Sequence, residues 1–229
     1  MSYEAPKARV EDYDAAGYRA SANLAQWTEW ALWTKLVVSV LATGTGLLER
    51  RVLMGSADED EEALRLVALS SIAELLLFLV SGFLCLRWIH RMSHNARVRA
   101  AYMQYTPGWS IGWYFVPIAY WWKPYQAMKE IWGESEKQAG AQGVNGGVLL
   151  GWWWTLWIAT SVISNASFRL SMRSSSAETL LAVNTIDLTS NLLEIPLAIV
   201  FIMMVRKLTA MQEYAHENPL AQAPDLRSA

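Results

Sequence analysis

Four stretches of this chain are long enough and apolar enough to cross a bilayer, and nothing else in it limits the fold as strongly. A helical span needs about 20 residues, at about 1.5 Å each, to cross about 30 Å of hydrocarbon. The qualifying windows cover about 30–48, 66–86, 147–165 and 184–205. Lys35 lies in the first, Glu74 in the second and Asp187 with Glu194 in the fourth, while the third is uncharged. Charged residues make up 17% of the chain, against roughly 25% in soluble domains, and they collect outside the windows. The expected fold class is an all-α integral membrane protein with four transmembrane helices plus a re-entrant or interfacial segment.

Lysine and arginine in short loops orient such a bundle. Arg87, Arg91, Arg97, Arg99, Lys123, Lys129 and Lys137 lie between the second and third windows, and Arg206 and Lys207 follow the fourth. Lys7, Arg9 and Arg19 precede the first, and the opposite loops hold only Arg50, Arg51, Arg65, Arg169 and Arg173. Both termini are therefore expected in the cytoplasm. The domain reading is a tail over 1–23, one membrane domain over 24–209 and a second tail over 210–229. The first residues, MSYEAPKARVEDYD, lack the apolar core of a signal peptide, so insertion is expected to begin with the first span. Trp27, Trp30 and Trp33, and Trp152 to Trp154, fit aromatic belts at the bilayer boundary.

Composition excludes some partners. The net charge is −2 with no basic domain, so no nucleic acid is expected. The acidic run Asp58–Glu62 reads as a solvated loop, and with Cys85 as the sole cysteine no internal disulfide can form.

The run from Pro107 to Trp122 is also uncharged, yet it counts only 16 residues and would span only about 24 Å as a helix. Basic clusters stand on both sides, so a crossing would expel one of them. Pro107, Gly108, Gly112 and Pro117 further oppose a straight helix. The segment 107–132 is expected to lie re-entrant or in the cytoplasmic interface. Lys123-Pro124 resembles a helix start, and Trp121, Tyr125, Met128 and Trp132 share one face of the helix that follows. That pattern suits an interfacial amphipathic helix, or equally a helix packed on the cytoplasmic span ends. Residues 133–147, rich in glycine, read as a linker.

Ionisable groups within hydrocarbon need a partner, a wet cavity or a neutral form. Glu74 stands 13 residues before Arg87 and Glu194 12 before Arg206, on spans that run the same way. The two carboxyls are then level to within about 1.5 Å, roughly 18–20 Å from the cytoplasmic boundary. Asp187 and Asn191 share the Glu194 face, and Ser70 shares that of Glu74. Lys35 is expected to snorkel to a nearby surface. These residues suggest an outer-half polar cavity for a small ligand, a cation or a lipid; interhelical hydrogen bonding alone would use the same residue types.

Two motifs suggest chemistry. Gly108-Trp109-Ser110-Ile111-Gly112 matches the nucleophile-elbow pattern, which requires a strand before it and a helix after it. A membrane serine hydrolase would pair Ser110 with His90 or His94. The two histidines are four apart, a spacing that can supply two metal ligands, but no acidic residue between them completes H-E-x-x-H. The sequence identifies no metal set and no cofactor.

Trp88-Ile89-His90-Arg91, Asn95-Ala96, Pro107-Gly108-Trp109, Trp113-Tyr114-Phe115-Val116-Pro117 and the run from Lys123 to Trp132, with Thr209 and Gln212, resemble a bacterial membrane family known as domain of unknown function 4328. The resemblance covers about residues 66–210. It implies a polytopic protein of the bacterial cytoplasmic membrane and brings no activity with it. The family pattern often carries alanine at Ser110, which counts against a catalytic serine, and asparagine near Tyr120. Three readings of function stand side by side. The first is a non-enzymatic binder of a small ligand, ion or lipid at Glu74, Asp187, Asn191, Glu194 and Ser70. The second is a structural or regulatory membrane partner docking through Trp109, Trp113, Trp121, Tyr125 and Trp132. The third is the serine hydrolase.

Overall fold

The computed structural model describes residues 17–55, 61–100, 102–141, 146–173 and 176–218. Expectations for the rest, including most of the N-terminal tail, most of Asp58–Glu62 and the end of the C-terminal tail, lie outside the described residues. Among the described residues every regular element is helical. They are α1 (Ala22–Leu53), α2 (Glu61–Arg99), α3 (Pro107–Gly112), α4 (Lys123–Gln138), α5 (Gly146–Ser171) and α6 (Ala177–Glu217). Single 3-10 turns at Trp113–Phe115 and Ala119–Trp121 separate α3 from α4.

Helices α1, α2, α5 and α6 contain the four apolar windows and are long enough to span a membrane. In their most apolar stretches only 6% to 28% of residues are buried, so the apolar surface faces outward. A water-soluble domain of this size hides such residues; a protein in lipid leaves them outside. The protein is thus an all-α, polytopic membrane protein. The helices outrun the windows. With 39 residues α2 is about 58 Å long, and α6 with 41 about 62 Å, well beyond the hydrocarbon.

The chain packs as two compact units, each described by itself. The first, here the Trp88 unit, holds the described residues of 17–26, 85–150 and 204–218; the second, the Glu194 unit, holds those of 27–84 and 151–203.

The Trp88 unit has a conventional core. Trp88, Met92 and Ala96, spaced by four on α2, are wholly buried. From α4 come Ala127, Met128, Ile131 and Trp132, and from α6 Met204, Val205 and Leu208, all buried. Side-chain hydrogen bonds cross this core. Trp88 Nε1 donates to Thr209 Oγ1 at 3.1 Å, Gln138 Nε2 to the Ala96 carbonyl at 2.7 Å, and Gln212 Nε2 to the Met92 carbonyl at 3.0 Å and Ser135 Oγ at 2.9 Å. Gly146 opens α5 directly against the Trp132 indole; a Cβ there would stand 1.9 Å from Nε1, so only glycine fits without rearrangement.

An extended N-terminal strap closes the same unit. Asn95 accepts from the Arg19 N–H at 3.1 Å and donates to the Arg19 carbonyl at 2.9 Å, as a neighbouring strand would. His94 Nε2 lies 3.0 Å from the Gly17 carbonyl, Arg91 donates to the Ala20 carbonyl at 2.6 Å, and Tyr18 stacks on His216. Burial raises the Tyr18 phenol above its ordinary pKa, and the nearby Glu213 and Glu217 add to the effect.

The Glu194 unit is built the other way round. Leu41, Leu69, Leu75, Phe78 and Leu192 are all more than half exposed, while Ser39, Ser81, Thr160, Ser167, Asn184 and Ser190 are buried. Its helices meet through these polar side chains and through a few apolar ones, Leu32, Ala42, Trp153, Phe201 and Ile202.

Candidate functional site

In the Glu194 unit α1 and α6 are joined by an ion pair between Lys35 Nζ and Glu194 Oε2. Ser39, one turn along α1 from Lys35, donates to the same oxygen at 3.4 Å. Glu74, from α2, lies within electrostatic reach of Glu194, Lys35 and Asp187. Asp187 in turn accepts from Ser167 Oγ at 2.6 Å, which ties in α5. Three carboxylates and one ammonium from α1, α2 and α6 therefore share one region, and Ser167 ties α5 to it.

This changes the reading of Lys35. The expected snorkelling does not occur: the ammonium turns onto Glu194, because a carboxylate nearby holds a cation better than a distant boundary does. Lys35 is the only basic residue in the four apolar windows, and that solitude among three acids was the available signal. Pairing across 159 positions of sequence depends on helix rotation, which no window analysis supplies.

The remaining candidates divide. Ser70 is hydrogen-bonded to Thr45 at 2.9 Å rather than to a carboxylate. The side chain of Asn191, between Asp187 and Glu194 on α6, makes no hydrogen bond among the described residues. Two further contacts tie the spans. Ser164 and Ser190 stand 3.2 Å apart, and Asn184 donates to the Gly46 carbonyl at 2.9 Å and to Glu49 at 3.0 Å. Pro196, inside α6, has no N–H to offer the Leu192 carbonyl.

The docking candidates belong to the Trp88 unit. Trp109 is 51% exposed, and Trp113, Trp121 and Tyr125 are half-buried. Trp132, at 2% exposure, donates its indole N–H to Glu136 at 2.8 Å and cannot meet a partner. Met128 on the same face of α4 is likewise wholly buried, while Tyr125 is only half-buried, so most of that face packs on protein. Lipid and protein core demand the same periodicity, so the pattern could not separate them.

Ser110 is 1% exposed and satisfied by Ser93 Oγ at 2.9 Å and the Thr106 carbonyl at 3.0 Å. It lies in a six-residue helix capped by Thr106, with no strand before it, and neither His90 nor His94 is bonded to it. The geometry removes the nucleophile-elbow reading. Among the described residues no group of three or more His, Cys, Asp or Glu side chains could hold a metal ion.

The family described as domain of unknown function (DUF4328) matches residues 51–210. The chain belongs to this family. No curated protein and no solved structure matches it. The matched range takes in parts of both units, while the motif residues named in the sequence, Trp88 and Thr209 among them, lie in the Trp88 unit, where Trp88 meets Thr209 and Gln212 meets the α2 backbone. Their visible work there is to hold α2, α4 and α6 together.

Proposed function

We propose that this DUF4328 protein binds a small ligand carrying an organic cationic group beside Glu74, Asp187 and Glu194. The observation that carries the reading is the charge imbalance of the cluster: three carboxyls share one ammonium. In a low-dielectric setting the deficit is met by protons or by a bound cation. Lys35 then acts as a tethered counter-ion that holds Glu194 while the site is vacant, and Asn191, on the same face of α6, adds a neutral oxygen. The membrane is read as the bacterial cytoplasmic one, with both termini inside, on the distribution of lysine and arginine. The acids then sit in the outer half, open to the extracytoplasmic side.

The test is thermal unfolding in lipid nanodiscs with choline, tetramethylammonium or spermidine, against sodium chloride at matched ionic strength as the control. One cation at saturation is expected to raise the midpoint by about 5 °C, and Glu74→Gln to abolish the shift. Lys35→Met is expected to lower the concentration needed. If no cation moves the wild-type midpoint, or if Glu74→Gln leaves the shift intact, the reading fails. The cluster is then interhelical glue.

A further inference from the structure

Between α3 and α4 the Trp88 unit carries an apolar projection that its own core does not cover. Phe115 is 73% exposed, Ile118 71%, Trp109 51% and Trp122 43%, within a run that contains no charge from Pro107 to Trp122. At its tip the Ala119 N–H bonds back to the Pro117 carbonyl at 2.8 Å, closing a three-residue γ-turn around Ile118 at φ 69°, ψ −54°. This is the rarer, strained hand of the γ-turn, and a β-branched residue suits it worst. Strain of this kind marks places where the projected side chain matters more than local backbone comfort. Here it thrusts an isoleucine outward between Phe115 and Trp122.

The first charge after the run is kept out of the tip. Lys123 Nζ bonds the Tyr105 hydroxyl at 3.3 Å and lies 5.4 Å and 5.6 Å from the Tyr105 and Trp113 ring centres. An uncharged, tryptophan-rich point on a protein already living in a bilayer matches the headgroup–acyl boundary, where amphipathic rings settle. Depth is limited by the backbone. Residues 113–121 form short 3-10 turns and bends rather than a continuous helix, with single turn bonds such as Tyr120 N–H to the Val116 carbonyl in place of a helical ladder. Lipid-exposed irregular backbone does not persist in hydrocarbon.

We infer that the 109–122 projection is a shallow lipid-inserting wedge, with Phe115, Ile118 and Trp122 entering the boundary between phospholipid headgroups and acyl chains. It neither re-enters the hydrocarbon nor docks a protein. The inference is independent of the carboxylate cluster.

The test uses an environment-sensitive thiol dye at Ile118→Cys, and separately at Phe115→Cys, in a Cys85→Ala background. Lys137→Cys, on the exposed side of α4, is the aqueous control. The protein is placed in phosphatidylcholine–phosphatidylglycerol nanodiscs containing lipids with a nitroxide at the headgroup, the shallow acyl or the deep acyl position. Both tip dyes are expected to emit to the blue of the control, with shallow quenching exceeding deep quenching by about twofold, as for groups about 5–10 Å into the interface. Emission like the control overturns the wedge. A blue shift that no nitroxide quenches means protein covers the tip, and strongest quenching by the deep label means a re-entrant segment; either result also overturns it.

Discussion

Trp88 and Phe78 stand ten residues apart on α2, and their circumstances are opposite: Trp88 is wholly buried, Phe78 60% exposed. The contrast extends to the two units that contain them. One hides Trp, Ile and Met behind a small hydrogen-bonded network; the other turns Leu, Phe and Val outward and buries Ser, Thr and Asn. A continuous helix serves both because its backbone bonds close internally in either medium. What differs is the source of cohesion. The Trp88 unit is held by the burial of apolar side chains. Lipid gives no such drive, so the Glu194 unit relies on close packing, polar contacts and the Lys35–Glu194 pair.

The sharpest way to break this comparison is to truncate both aromatics. Trp88→Ala empties a filled core site and is expected to cost about 3–5 kcal/mol. Phe78→Ala gives its space to lipid and is expected to cost under about 1 kcal/mol, since no protein cavity forms. Reversible unfolding midpoints in nanodiscs check both. Equal costs would mean that protein, not lipid, covers Phe78.

A smaller effect sharpens the same contrast through polar groups. Gln212→Leu removes two buried hydrogen bonds from the Trp88 unit and is expected to cost about 1–2 kcal/mol, softened because Gln212 Oε1 is already unpartnered. Ser190→Ala removes the Ser164 contact inside the spans and is expected to cost about 0.6 kcal/mol. The same unfolding series measures both, and the reverse order would contradict the assigned sources of cohesion.

These sites also mark where sequence was informative. The four spans were legible because twenty apolar residues have few destinations, and the break at 107–122 because proline and glycine punctuate it. The windows stopped near Leu86 and Val205, however, while the helices run on to Arg99 and Glu217. Hydropathy reports the end of the outward apolar face, and a helix that runs on into a packed unit need not end there. The carboxyls of Glu74 and Glu194 could be matched in depth by counting residues, but the partner of Glu194 depended on the rotation of α1. The γ-turn at Ile118 was invisible, since isoleucine argues against positive φ. Nor could the face of α4 announce whether Met128 and Trp132 met lipid or protein.

The mildest expected effect concerns the strap. Asn95 clasps Arg19 by both backbone groups, yet the strap is short and further held by Arg91 and His94 through single bonds each. Asn95→Ala should therefore loosen residues 17–20 locally while the rest of the Trp88 core stays closed. The expected cost is about 1 kcal/mol, near that of a single net hydrogen bond. Hydrogen exchange reads it directly: the Arg19 amide should lose roughly fivefold protection, the equivalent of that free energy, while amides of α4 stay unchanged. If α4 exchange rises in step, the strap is part of the core rather than a clasp upon it. The boundary between the tightly packed unit and its periphery would then have to move outward to Gly17.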